Sequence, residues 1–155
     1  MTNLKQEPMA KVEMLIRKPA KEVFEAFVDP AITTKFWFTK SSGRLEQGKR
    51  VTWEWEMYGV SAGVHVQAID ENKRILIAFD DHTTVEWTLT DRAADETFVT
   101  IAHSGFVGDS DEIVRQVIDS TGGFTIVLCG LKALLEHGIA LNLVADKAPD
   151  AHVKR

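Results

Sequence analysis

The apolar positions between Asp109 and Gly138 constrain this chain more than any other feature. Ile113, Val117, Thr121, Phe124, Leu128, Leu131 and Leu135 recur in steps of three and four, which places them on one face of an α-helix. Asp109 followed by Glu112 reads as an N-cap with a capping-box carboxylate. Gly138 reads as the residue just past the C-terminus, where a left-handed backbone costs glycine little. At 1.5 Å per residue the helix is roughly 40 Å long. Gly122 and Gly123 fall inside it, each about 1 kcal/mol worse than Ala, so a kink or a loosened turn is expected there. A stripe this long must be buried against something, and the chain before it offers strands.

Residues 9–18 alternate, with Val12, Met14 and Ile16 on one side, the pattern of a half-buried strand. Pro19 then opens PAKEVFEAFVDP, whose Val23, Phe24, Phe27 and Val28 form an amphipathic face and whose Asp29-Pro30 ends the helix. A second short helix is expected over 31–37, ending in Phe36-Trp37-Phe38. Over 49–58, Val51, Trp53, Trp55 and Met57 alternate against Thr52, Glu54, Glu56 and Tyr58. Further strands are expected over 61–69, 74–79, 83–90 and 97–104, separated by short polar turns that imply an antiparallel meander. Strands segregated from helices indicate the α+β class. The expected architecture is a curved antiparallel sheet of six to seven strands wrapped around the long C-terminal helix, with two short helices after the first strand. One domain spans 1–155, with an ordered core over about 9–138, an apolar tail over 139–144 and a polar C-terminus.

Charge narrows the function classes. The formal net charge is −5 and no basic stripe appears, the end pair Lys154-Arg155 being too small to form one, which argues against nucleic acid as a partner. No apolar run reaches the ~18 residues of a membrane span, and the N-terminus lacks the apolar core of a signal peptide. The single cysteine, Cys129, rules out an intrachain disulfide and suits a reducing, cytoplasmic setting. No ligand spacing for a metal, no phosphate-binding loop and no dinucleotide glycine motif is present, so neither a metal nor a cofactor is expected.

IRKPAKEVFEAFVDP, the pair Trp37-Phe38, Trp87, HSGF at 103–106 and GFTIVLCGLKALLEHG, taken in this order and spacing, resemble the START-like (SRPBCC) superfamily. Within it the chain is most similar to the branch homologous to the activator of the ninety-kilodalton heat-shock chaperone ATPase, over about 12–138. The resemblance implies a helix-grip fold: seven antiparallel strands on the C-terminal helix, with a hydrophobic tunnel between. Six strands are evident; the seventh is expected near Arg44-Leu45. Phe124 stands where the family often has Trp, which alters the shape of the cavity.

On this reading Trp37, Trp53, Trp55, Met57, Phe79, Val85, Trp87, Val99, Ile101, Phe106, Phe124, Leu128 and Leu131 point into the helix–sheet interior, as plain core or as the wall of an aromatic pocket. His103 shares the face of Val99 and Ile101. It is either a hydrogen-bonding or acid/base group for a ligand, or a histidine satisfied by Ser104, Gly105 or a backbone carbonyl. His65 is undecided; His82 lies in a turn, His137 at a helix end and His152 in the tail. Glu54, Glu56 and Glu86 face outward by alternation. The expected function is binding of a small hydrophobic or amphipathic molecule as carrier or sensor. The alternatives are a polyketide cyclase- or hydrolase-like enzyme with His103 as its one candidate group, and a stress-response module acting on a chaperone ATPase. Ile126, Cys129, Gly130 and Ala133 sit opposite the core stripe. Either the tail covers them or they form a homodimer contact.

Overall fold

The computed structural model describes residues 7–151. The alternating segments become seven strands: β1 (Ala10–Ile16), β2 (Lys40–Ser41), β3 (Arg50–Trp55), β4 (Val60–Asp70), β5 (Arg74–Phe79), β6 (Thr84–Ala93) and β7 (Glu96–Ser104). They form one antiparallel sheet in the order β1-β7-β6-β5-β4-β3-β2. The first strand thus pairs with the last, Val12 opposite Ile101. Register shifts between Val66 and Ala68 and between Asp91 and Ala93 supply the local bends that irregular pairing gives a sheet. The architecture is the expected α+β helix grip.

Between β1 and β2 run α1 (Ala20–Val28), whose Val23, Phe24, Phe27 and Val28 are buried, and α2 (Pro30–Thr33). Asp29 caps α2, its carboxylate accepting from the Ala31 N–H at 3.0 Å. α2 is shorter than expected, and the chain turns through 34–37 into the aromatic cluster. The seventh strand lies at Lys40–Ser41 rather than near Arg44-Leu45. Arg44 is drawn instead to Glu25 by two 2.8 Å hydrogen bonds, and Leu45 donates its N–H to the Val28 carbonyl.

The long helix, α3, is Ser110–His137, with Asp109 accepting from the Glu112 N–H and Gly138 closing it in the left-handed region at φ 68°. It runs through Gly122 and Gly123 without a break, since both keep helical backbone. Its C-terminal half carries the buried Phe124, Val127, Leu128, Gly130 and Leu131 and lies against β1. Lys132 donates to the Leu15 carbonyl, and Glu136 accepts from the Arg17 N–H, both at 2.8 Å. The N-terminal half is looser, with Val114 and Ile118 exposed. By length and composition alone α3 is apolar enough to cross a membrane, a test that the core helix of a helix-grip fold also passes. Packing of the core face accounts for part of that apolarity, at Phe124, Val127, Leu128 and Leu131.

The face expected opposite the stripe is covered from within the chain at Gly130. Gly130 meets Phe36 so closely that a Cβ would sit 3.3 Å from its Cβ and its carbonyl oxygen, and 3.8 Å from Leu143. Leu143 belongs to α4 (Leu143–Lys147), the folded-back tail. Cys129 and Ala133 are half-buried, and Ile126 faces a pocket. Ile139 and Leu141, also in the tail, remain exposed. His152, Lys154 and Arg155 lie outside the described residues.

Candidate functional site

Two structural facts keep the space between helix and sheet from filling. β3 stops at Trp55, and the next three residues wind into a 3₁₀ turn, Glu56–Tyr58. The alternation expected through 58 is lost, so Met57 does not join the tryptophan face and instead lines a small side groove beside Phe36 and Leu143. Tyr58, expected to face outward, turns inward and donates its hydroxyl to the Val144 carbonyl, tying α4 to the sheet. On the helix side, Gly123 offers no side chain, and a Cβ built there meets nothing within 4 Å.

The result is a wide-mouthed pocket of about 620 Å³. Six of the fourteen residues singled out from the sequence line it: Trp37, Trp55, Phe79, His103, Phe106 and Phe124. Trp53, Val85, Trp87, Val99, Ile101, Leu128 and Leu131 are instead solid core, none more than 1% exposed. Trp53 stacks on Phe38 with ring centres 4.6 Å apart, and Trp87 lies 5.7 Å from Phe27. Two indoles thus pack and two face open space, so the number of tryptophans was no guide to the void. The Trp87 indole N–H is buried and meets no acceptor among the described residues.

His103 is held by neither Ser104 nor Gly105 nor a backbone carbonyl. Its Nδ1 lies 2.7 Å from the Ser120 hydroxyl on α3, and its Nε2 lies 2.8 Å from the Thr83 hydroxyl before β6. Thr83 in turn donates its hydroxyl and its backbone N–H to Asp81, at 2.7 and 2.9 Å. Phe79, Phe106 and Phe124 surround the imidazole with ring centres 5.9, 4.6 and 5.7 Å away. This burial lowers the His103 pKa, against the opposing pull of the Asp81 charge, so the ring is neutral at pH 7.

Ser120, Thr83, Asp81, Asp119 and Tyr58 therefore belong to the site beside His103. Two of them were within reach of sequence spacing. Ser120 lies four residues before Phe124, one helical turn along the same face. Thr83 lies two residues before Val85, which pairs with His103 across the sheet. The remaining charged lining group is Lys147 on α4. Glu54 and Glu86 lie away from the pocket and pair with Lys40 and Arg74; Glu56 is exposed. His65, His82 and His137 are exposed. Among the described residues no group of three or more His, Cys, Asp or Glu side chains is placed to hold a metal ion.

Residues 17–136 match the family model described as activator of Hsp90 ATPase homolog 1-like protein. Among solved structures, the chain is similar to the protein SSP2350 from Staphylococcus saprophyticus at 30% identity and a TM-score of 0.76, over 86% of this chain and 96% of that one. It is similar in fold to the Aha1 dimer from Colwellia psychrerythraea, at 18% identity and a TM-score of 0.74, over 84% and 98%. It also resembles DynU16, a putative protein in the dynemicin biosynthetic locus, at 22% identity and a TM-score of 0.72, over 85% of this chain and 48% of that one. Comparison with curated proteins gave no match.

Proposed function

Because the chain belongs to the activator of Hsp90 ATPase homolog 1-like family, whose START-like fold leaves room between sheet and helix, we propose that it binds a small hydrophobic or amphipathic molecule there, as carrier or sensor. The pocket of about 620 Å³ carries this reading, because a concave, mainly apolar space with a few convergent polar groups is the usual form of a small-molecule site. Trp37, Trp55, Phe79, Phe106 and Phe124 supply the apolar wall, and His103 with Ser120 the polar point.

The test is thermal unfolding against a panel of lipids, polyketides and fused aromatics. Binding stabilises by RT ln(1 + [L]/Kd), about 2.7 kcal/mol at a hundredfold excess over Kd. At least one aromatic member is expected to raise the melting temperature of the native chain and not that of Gly123→Phe, in which the new ring occupies the pocket. A flat response across the panel would remove the reading.

The hydrogen bond between His103 and Ser120 favours one further reading, an enzyme of the cyclase or hydrolase type using the same space. It requires that His103→Ala lose turnover on a substrate found by the panel; full turnover in that variant excludes it. DynU16, from the dynemicin biosynthetic locus, supports including products of biosynthetic loci in the panel. The chaperone-ATPase partner named in the family description is a separate proposal, retired by a clean negative pull-down at micromolar concentration. The dimeric Colwellia relative suggests a dimer here as well. Of the four residues expected at its interface, Gly130 is closed by Phe36 and Ile126 lines the pocket, which leaves half-buried Cys129 and Ala133. Light scattering on the native chain and on Ala133→Arg separates a contact at this point from a monomer. The single free Cys129 supports a reducing, cytoplasmic setting.

A further inference from the structure

The polar point of the pocket has a direction, and it follows from counting hydrogens. The Asp81 carboxylate can only accept, so the one hydroxyl hydrogen of Thr83, 2.7 Å away, goes to it. With that hydrogen used, Thr83 Oγ1 can only accept from His103 Nε2, 2.8 Å away. His103 Nε2 therefore carries the ring proton, and in the neutral ring Nδ1 is left as a lone pair. That lone pair faces Ser120 Oγ at 2.7 Å, so the serine must donate its only hydrogen to the ring. Ser120 Oγ then has lone pairs alone to offer the pocket.

The two carboxylates on the wall act in the same direction. Asp81 and Asp119 are acceptors, and Lys147 on α4 is the single cation among the charged lining residues. Gln116, the one amide on the wall, already donates from its Nε2 to the carbonyls of Val107 and Glu112.

From this we infer that the pocket selects molecules with an apolar ring system that ends in a hydrogen-bond donor, a hydroxyl or an amine, received by Ser120 Oγ, and that it discriminates against carboxylates. The inference rests on the binding reading above and narrows it to a ligand class. Asp81, Thr83 and His103 are positioning residues: they fix which way the Ser120 hydrogen points. An apolar acid would bring its oxygen lone pairs against those of Ser120 and its charge into a wall that carries two carboxylates against the one ammonium of Lys147. A phenol or a neutral alcohol meets neither obstacle.

Four probes of one shape separate the outcomes: naphthalene, 2-methoxynaphthalene, 2-naphthol and 2-naphthoate, followed by quenching of Trp37 and Trp55 fluorescence. The naphthol is expected to bind about threefold to tenfold more tightly than the methyl ether, the range of one net hydrogen bond, and the naphthoate more weakly than either. In Ser120→Ala the ratio of naphthol to ether falls to near one while the affinity of the ether is kept. Tightest binding of the naphthoate, or an unchanged ratio in Ser120→Ala, overturns the inference. Binding of naphthalene and the ether with no preference for the naphthol overturns it while leaving the binding reading in place; no binding of any probe removes both. Nitrogen-15 NMR of the ligand-free protein reads the chain of bonds directly. Protonated Nε2 with bare Nδ1 on His103 is expected, a state that Thr83→Val disturbs; protonated Nδ1 would reverse the direction of Ser120 and sink the proposal.

Discussion

His103 is the residue at which burial and charge oppose one another. Burial among Phe79, Phe106 and Phe124 lowers its pKa below the ordinary histidine value of about 6.5, and Asp81 only partly offsets this. The sign of the pH effect follows. On acidification the unfolded chain takes up this proton first, so below about pH 6.5 the unfolded state binds more protons and stability falls. Above that value the contribution is complete. The charged groups that share the pocket wall are Asp81, Asp119 and Lys147. Glu25 is held low by the hydrogen bond from Arg44. For Glu136, burial pushes upward, but the bonds from the Arg17 N–H and Lys132 outweigh it. Those two carboxylates lose their stabilisation only below about pH 4.5, outside the histidine window. Urea midpoints of the native chain should therefore decline from pH 7 to 5.5, with a flatter profile in His103→Gln. Equal slopes would assign the decline to other groups. Gly123 is the second informative residue. Gly123→Ala should stabilise the helix by about 1 kcal/mol, because the methyl meets no neighbour, and should weaken any ligand that reaches the wall at that point. Melting and binding are expected to move in opposite directions.

Within α3 the two halves differ in what holds them. Leu131 is fully buried, and nearby Glu136 bonds to Arg17 and Lys132. Ile118 is 64% exposed. Leu131→Ala should cost about 2–5 kcal/mol and Ile118→Ala no more than about 0.5 kcal/mol, both read from urea unfolding. Comparable losses at the two positions would mean that the N-terminal half is packed more firmly than its exposure indicates. The elements were legible in the sequence to different degrees for the same reason. Helix α3 announced its caps and stripe because side-chain period and burial coincide along its C-terminal half. The end of β3 did not, because Glu56, Met57 and Tyr58 continue an alternating pattern through a stretch that Gly59, at φ 62°, turns into a 3₁₀ helix.

At the scale of the molecule, the pocket has a wall made by α4 and the residue that follows it. Val144, Lys147 and Ala148 line it, and the Tyr58 hydroxyl donates to Val144. Tyr58→Phe removes that donor and should cost about 0.5–1.5 kcal/mol, with a larger relative effect on ligand dissociation than on unfolding if α4 acts as a wall. A variant with unchanged ligand off-rates would make α4 a cover for Gly130 and Phe36 and nothing more. The strands, the long helix and its caps were determined by the chain locally, since period-two and period-3.6 patterns and capping residues act over a few neighbours. Tertiary structure decided which of the inward residues meet open space. Trp53 and Trp55 share one face of one strand, yet Trp53 is pressed onto Phe38 while Trp55 borders the pocket. It also brought Asp81, Thr83, His103 and Ser120 into one chain of hydrogen bonds, since its two contacts between residues 17 and 20 positions apart depend on how the sheet curves and where the helix lies, which no local pattern encodes.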